Sequence, residues 1–454
     1  MPSALLSHPF MSAAALEACR DDAYVQSMLA FELALAEVQE EAGAIPAGVS
    51  RRMRDCLEGH AFDATAIGAG IATGGNAAIP FVKAGRTALP EELKRYWHLG
   101  ATSQDVVDSA LMHLITPRLA AIDALLVRCR GAALGLMRDH DETPMVGRTL
   151  MQQALPIAFG VKVAQWALGL EAARRRLATI LEAGLPVQFG GAVGVHSGWG
   201  DQGLELMEAL AERLGLAAPV LPWHTDRQPI HALATALDAC AGAAETLALD
   251  VSLLTQTEVG EVAEPAAPGM GESSSMPHKR NPVHCALMRG AARRLHGHTG
   301  VILSATAQPL ERGLGEWHAE WAPLSESVLL LEGMLEHAAI LLEGLEVNAE
   351  RMSANMAITG GAIMAEPVAR LLTPYLGPEA AKALAAEAAE QARRQGTRYV
   401  EALAAALTDR QLLSRDEDGD GLRRGELERA TDPALYLGSS KAQVERAARW
   451  LEGT

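Results

Sequence analysis

The chain has 454 residues, of which 49% are hydrophobic, 21% charged and only 4% aromatic, a balance that excludes wholesale disorder. A formal net charge of −17 excludes a nucleic-acid binder, which needs a basic stripe to release counterions, and argues against docking on anionic membranes. A chain this long buries a large core without disulfides or structural metal, and an anionic ligand has to be drawn by a local cluster of cations.

Taken in order, the chain opens Met1-Pro2-Ser3-Ala4-Leu5-Leu6 with no Lys or Arg before Arg20, so it lacks the basic start of a signal peptide. No apolar run reaches the roughly 18 residues of a membrane span. The five cysteines, Cys19, Cys56, Cys129, Cys240 and Cys285, are scattered and never form a CxxC pair, which reads as a reduced cytoplasmic protein.

A shorter, punctuated N-terminal part gives way near Pro117 to long proline-free stretches: 119–141, 157–183, 230–261, 283–307 and 324–348. In the third, Ile230, Leu233, Leu237, Cys240, Ala244, Leu247, Val251 and Leu254 recur in steps of three and four, the seam of a helix packed nearly parallel to its neighbours. Ala and Leu dominate over β-branched residues, which favours helix over sheet. The expectation is an all-α chain: an N-terminal helical domain over 1–112, a central long-helix bundle over 113–358, and a C-terminal helical domain over 359–454. That last part holds an Ala-rich helix, 379–394, and an acidic stretch, Asp416 to Gly421. The stretch matches the first half of a calcium loop, but Leu427 stands where a bidentate Glu is needed, so a solvated turn without metal is expected.

Four segments invite chemistry. His98-Leu99-Gly100-Ala101-Thr102-Ser103-Gln104-Asp105 contains a capping box, Thr102 with Asp105 three residues on, before an apolar helix. Hydroxyls and free backbone N–H groups converge there, although most such boxes only start helices. Gly147-Arg148-Thr149-Leu150-Met151-Gln152 offers Arg148 as a bidentate carboxylate grip near a helix start, with Gln152 to orient it; a plain surface arginine is the alternative. Gly190-Gly191-Ala192-Val193-Gly194 lacks the GxGxxG spacing and follows no strand, which rejects a dinucleotide site. The stretch 269–282, GMGESSSMPHKRNP, ends in Asn281-Pro282, the pattern of an N-cap with proline at the first helical position. Its loop would feed the positive end of a helix, where a carboxylate or a developing enolate is held; a flexible Ser/Gly linker reads equally well from physics alone. His224, His231, His284 and His318 are isolated and read as structural.

Together, three of these segments resemble the signature regions of the fumarase/aspartase superfamily. Ser273 to Pro282 is similar to its GSSxMPxKxNP loop, and Thr102–Asp105 and Gly147–Gln152 to its other two regions, in the expected order. Within the superfamily the chain is most similar to the lactonising cycloisomerases, on the stretches 75–83 (GNAAIPFVK), 98–105, 317–321 (WHAEW) and 436–439 (YLGS). The resemblance implies three domains and a homotetramer whose active sites combine the three motifs from different subunits. It also implies a small polycarboxylate substrate and no metal or organic cofactor. Ser273 would carry the proton, and Lys279 and Asn281 would steady an aci-carboxylate. Thr102, Ser103, Gln104, Arg148, Gln152, Ser274, Met276 and Arg312 would bind the substrate. A fumarate-releasing lyase of the adenylosuccinate or argininosuccinate type is the alternative. Two departures favour lactonisation: Leu150 stands where eliminating members carry a histidine, and Asn76 where adenylosuccinate lyases carry another. Glu272 replaces the usual glycine before the first serine.

Overall fold

The computed structural model describes Leu6 and residues 10–266, 269–271, 275–414 and 421–453; Glu272, Ser273, Ser274 and most of the acidic stretch after Arg415 lie outside these. Helix dominates, as the Ala- and Leu-rich composition demands. Among the described residues, apart from isolated bridges, strands are confined to one antiparallel hairpin, Pro144–Thr149 with Gln152–Ala158, and a two-residue pair, Val262–Ala263 with Glu346–Val347.

The chain divides into two compact units. One comprises Met1–Val127, Ala172–Glu245 and Leu287–Ala338; the other comprises Arg128–Glu171, Thr246–Ala286 and Ala339–Thr454. The first unit packs around Met28, Phe31, Met53, Phe81, Trp97, Phe189 and Trp317, all buried. The second has a core of Val146, Met364, Val368, Leu372, Leu403 and Leu407, closed by the alanine face of helix Pro378–Gln395. Ala381, Ala385, Ala388 and Ala392 are buried along that face, and their small side chains let the neighbouring backbone come close.

Several boundaries differ from the sequence reading, each for a packing reason. Pro117 breaks nothing: helix Ser103–Asp139 runs straight through it for 37 residues. Proline removes one ladder hydrogen bond, but Ile115, Leu119 and Ile122 on either side are fully buried and hold the helix in place. Helix Gln228–Leu254 carries the expected seam but stops at Leu254, because Glu261 turns back to bond the Leu254 carbonyl and Val262 enters the short strand pair. Residues 157 and 158 belong to the hairpin, and the following helix is Phe159–Ala183. Two helices, Ser103–Asp139 and Gln228–Leu254, are long and apolar enough by composition to cross a bilayer, contrary to the run-length expectation. Many of their apolar residues, among them Val106, Ala110, Leu233, Leu237 and Val251, are buried in protein, as in core helices, while Val127 and Leu249 are exposed.

Beneath the start of helix Ser103–Asp139, the first unit buries an ionic cluster. Arg227 donates to Asp108 at 2.8 Å and to Glu320 at 2.7 Å, and Trp317 Nε1 donates to Asp108 at 2.9 Å. Burial pushes the Glu320 carboxyl above its ordinary range, against the pull of Arg227. Removing the cation leaves two carboxylates stranded, so Arg227→Met should cost about 3–5 kcal/mol, read from urea unfolding midpoints.

On the same unit His296 sits between Asp238 at 2.6 Å and Glu245 at 3.2 Å. Partial burial pulls its pKa down, but the two carboxylates outweigh that and raise the folded value above 6.5. A raised histidine adds stability that is complete below the unfolded pKa and is lost as pH climbs through the folded one. The destabilisation of His296→Ala should therefore be greatest at pH below 6.5 and shrink as the pH rises above it, measured by the same unfolding.

Candidate active site

In the first unit the site grows from the beginning of helix Ser103–Asp139. Only half of the expected capping box forms: the Thr102 N–H donates to Asp105 Oδ2 at 2.9 Å. The Thr102 hydroxyl instead accepts from Arg312 Nη2 at 2.9 Å, and that nitrogen also reaches the Ala192 carbonyl at 3.4 Å. Arg312 has no carboxylate partner among the described residues, and its Nε is buried without an acceptor.

Asp105 does more than start a helix. Fully buried, it accepts from His224 Nε2 at 2.8 Å, from the Gly190 N–H at 3.1 Å and from the Gly191 N–H at 2.9 Å, besides Thr102. The glycine run rejected as a nucleotide site is thus a loop folded over a carboxylate, with φ of 72° at Gly191 and 80° at Gly194. Ser103 is half-buried at the helix start. Gln104, expected to bind a carboxylate, is fully buried. Both its amide hydrogens are engaged, with Asp108 at 3.2 Å and the His224 carbonyl at 2.8 Å, which leaves none for a ligand. His98 holds a left-handed φ of 60°, and its Nδ1 lies 2.6 Å from the buried Glu32 carboxylate. Burial lowers the His98 pKa, but Glu32 and Asp105 outweigh it and raise it overall.

In the second unit Arg148 lies on the first strand of the hairpin, not at a helix start. Its fork is already occupied: Nη1 and Nη2 donate to Glu261 at 2.9 and 2.6 Å, and Asn355 Nδ2 adds a bond to the same carboxylate at 2.8 Å. The tip of the hairpin is a two-residue turn, Leu150-Met151, with φ of 49° and 66° and exposures of 97% and 71%. Left-handed backbone at non-glycine residues costs about 1–2 kcal/mol each, so packing of the flanking strands must hold this turn in shape. Gln152 follows it, exposed, with Nε2 on the Met151 carbonyl at 3.2 Å.

The loop before helix Val283–Ser304 also departs from its expected role. Asn281 does not cap that helix; its side-chain and backbone N–H groups both turn back to the Gly271 carbonyl, at 3.1 and 2.9 Å. Glu264 caps it instead, accepting from the His284 and Cys285 N–H groups at 3.0 and 2.8 Å. The helix's positive end therefore already faces a carboxylate. Arg280 is tied to Glu346 by two 2.9 Å bonds, whereas the exposed Lys279 ammonium has no ion pair among the described residues. Met276 is exposed beside it, and Ser273 and Ser274 lie outside the described residues. Sequence reasoning missed Glu32, Glu261 and Glu264; each meets its partner over a long sequence separation, and no local pattern announces such a meeting.

Residues 11–297 match a family model described as Lyase. The chain belongs to that family. This lyase-family chain, a member of the fumarase/aspartase superfamily, is 42% identical to a 3-carboxy-cis,cis-muconate cycloisomerase of Pseudomonas aeruginosa, over 96% of this chain and 94% of that one. It is 40% identical to a nitrosuccinate lyase of Streptomyces davaonensis, over 98% of this chain and 94% of that one. A crystal structure of 3-carboxy-cis,cis-muconate lactonizing enzyme from Pseudomonas putida matches it with a TM-score of 0.92, at 37% identity and 99% coverage of both chains. The all-α, multi-helix fold class follows from that likeness.

The two arginines predict opposite behaviour. Arg148→Met strands the buried Glu261 and should lose about 3 kcal/mol of stability. Arg312→Met removes only two hydrogen bonds to neutral groups and should lose about 1 kcal/mol, while weakening polycarboxylate binding tenfold or more. Thermal unfolding and calorimetric titration on the two variants check this.

Proposed function

We propose that this lyase-family chain lactonises 3-carboxy-cis,cis-muconate to 4-carboxymuconolactone, in the breakdown of protocatechuate. The near-full-length likeness to 3-carboxy-cis,cis-muconate cycloisomerase carries this reading. Leu150, exposed at the hairpin tip where eliminating members carry a histidine, agrees with it.

A carboxylate oxygen of the muconate attacks a carbon of the conjugated double bond, and the electron pair moves onto the neighbouring carboxylate as an aci-carboxylate. The carbon beside that group then takes a proton. One C–O and one C–H bond form, one π bond is lost, and one proton is taken up from water overall. Holding nucleophile and alkene in contact supplies much of the acceleration, and the substrate's own carboxylate serves as the electron sink, so the step requires no cofactor.

Ser273 would deliver the proton, while the unpaired Lys279 and the second amide hydrogen of Asn281 steady the aci-carboxylate. Thr102, Ser103 and Arg312 would hold another carboxylate, and Gln152, Ser274 and Met276 would line the remainder. Arg148 and Gln104 would act from behind, fixing the hairpin and the helix start. The active assembly would be a cytoplasmic homotetramer, its sites completed by segments of neighbouring copies.

The likeness to nitrosuccinate lyase supports a second reading, elimination with release of fumarate. Incubation with 3-carboxy-cis,cis-muconate should bleach the diene absorbance without producing fumarate. Ser273→Ala should slow this by about 10²-fold or more with the fold intact. Fumarate release from an amino- or nitro-succinate panel, with the diene untouched, would favour the second reading instead.

A further inference from the structure

His224 is buried, 4% exposed, and lies outside every motif that the proposed reaction uses. We propose that it is a positioning residue: through Asp105 it pins the Gly190–Gly194 loop to the Thr102–Ser103 helix start, so that Arg312 and the loop form one wall for a substrate carboxylate. The identity of the substrate rests on the reading above; the geometry does not.

Asp105 is the point where two remote segments meet. It takes one N–H from Thr102, two from Gly190 and Gly191, and the imidazole N–H of His224. A buried carboxylate holds its place only as firmly as its donors do. The three backbone donors belong to the very segments being positioned, so the imidazole is the fixed reference among the four.

That reference is itself locked. The His224 carbonyl accepts from Gln104, which also bonds Asp108. Next to it, Trp223 lies 4.6 Å under the Arg227 guanidinium and donates from its indole to the Val187 carbonyl. Arg227 is clamped in turn by Asp108 and Glu320. The ring also lies close to the far end of the loop: a Cβ on Gly194 would stand 3.4 Å from its Nδ1, which is buried without a hydrogen-bond partner among the described residues.

What the arrangement presents outward fits an anion. Arg312 bridges Thr102 to the Ala192 carbonyl, and Ala192 and Val193 are exposed beside it. A guanidinium without a carboxylate partner among the described residues, next to backbone held by left-handed glycines, is suited to one carboxylate group. If the loop drifts, Arg312 loses its contact with the Ala192 carbonyl and the wall opens.

The test compares replacements that differ in one hydrogen bond. The side-chain amide of His224→Gln can reach Asp105 much as Nε2 does, whereas His224→Ala cannot. Binding of propane-1,2,3-tricarboxylate, an unreactive probe, is measured by calorimetry on the full chain, with KM and kcat on the muconate alongside. His224→Ala should weaken binding and raise KM about tenfold or more with kcat within about threefold, and His224→Gln should restore both. Unchanged binding in His224→Ala overturns the proposal, and so does a glutamine variant as weak as the alanine one. If the alanine variant does not fold, His224→Asn, whose amide stops short of Asp105, replaces it and the Gln–Asn contrast decides. If no replacement folds, His224 is a fold residue only and the proposal fails. A wild-type chain that binds the tricarboxylate without lactonising overturns the functional reading and leaves this inference standing.

Discussion

The hydrogen bonds gathered by the buried Asp105 carboxylate organise everything around the candidate site in the first unit. Charge taken out of water is costly, and the cost is offset only when each oxygen is fully bonded. Four donors from three segments satisfy it: the helix start at Thr102, the glycine loop at Gly190–Gly191, and the imidazole of His224. That requirement forces a loop from far along the chain to lie against the helix start, and the Arg312 guanidinium then spans both. A merely local capping interaction would have placed Thr102 correctly and left the glycine loop unconstrained.

The same device recurs elsewhere in this acidic chain. Glu261 fixes the hairpin through Arg148, Glu264 caps helix Val283–Ser304, and Glu320 with Asp108 clamps Arg227. Acidic side chains so placed are framework, and they neutralise the cations and helix ends they meet. Among the cations with no ion pair within the described residues are Arg312 and Lys279, both in the segments of the candidate site. A chain of net charge −17 can hold a polyanion in this way because attraction at contact distance outweighs a distant field screened within about 10 Å.

Three of the site candidates share a feature. Arg148, Asn281 and Gln104 all carry side chains suited to carboxylates. In the fold each had already found an internal partner: Glu261, the Gly271 carbonyl, and Asp108 with the His224 carbonyl. Hydrogen-bonding capacity is legible in a residue's identity, whereas its availability is set by residues up to 120 positions away. Arg312, the weakest of the sequence candidates, has no carboxylate partner among the described residues.

From the sequence by itself came the helical class, the seam of helix Gln228–Leu254, the family signatures and their order. These are periodic or contiguous features, carried by side chains a few residues apart. Helix ends, the uninterrupted passage through Pro117, the left-handed hairpin tip at Leu150-Met151 and the true cap of helix Val283–Ser304 were decided only by tertiary structure. Each of those depends on burial or on a partner distant in sequence, and packing energy outweighs the local preference of a proline, a leucine or an asparagine whenever the two disagree.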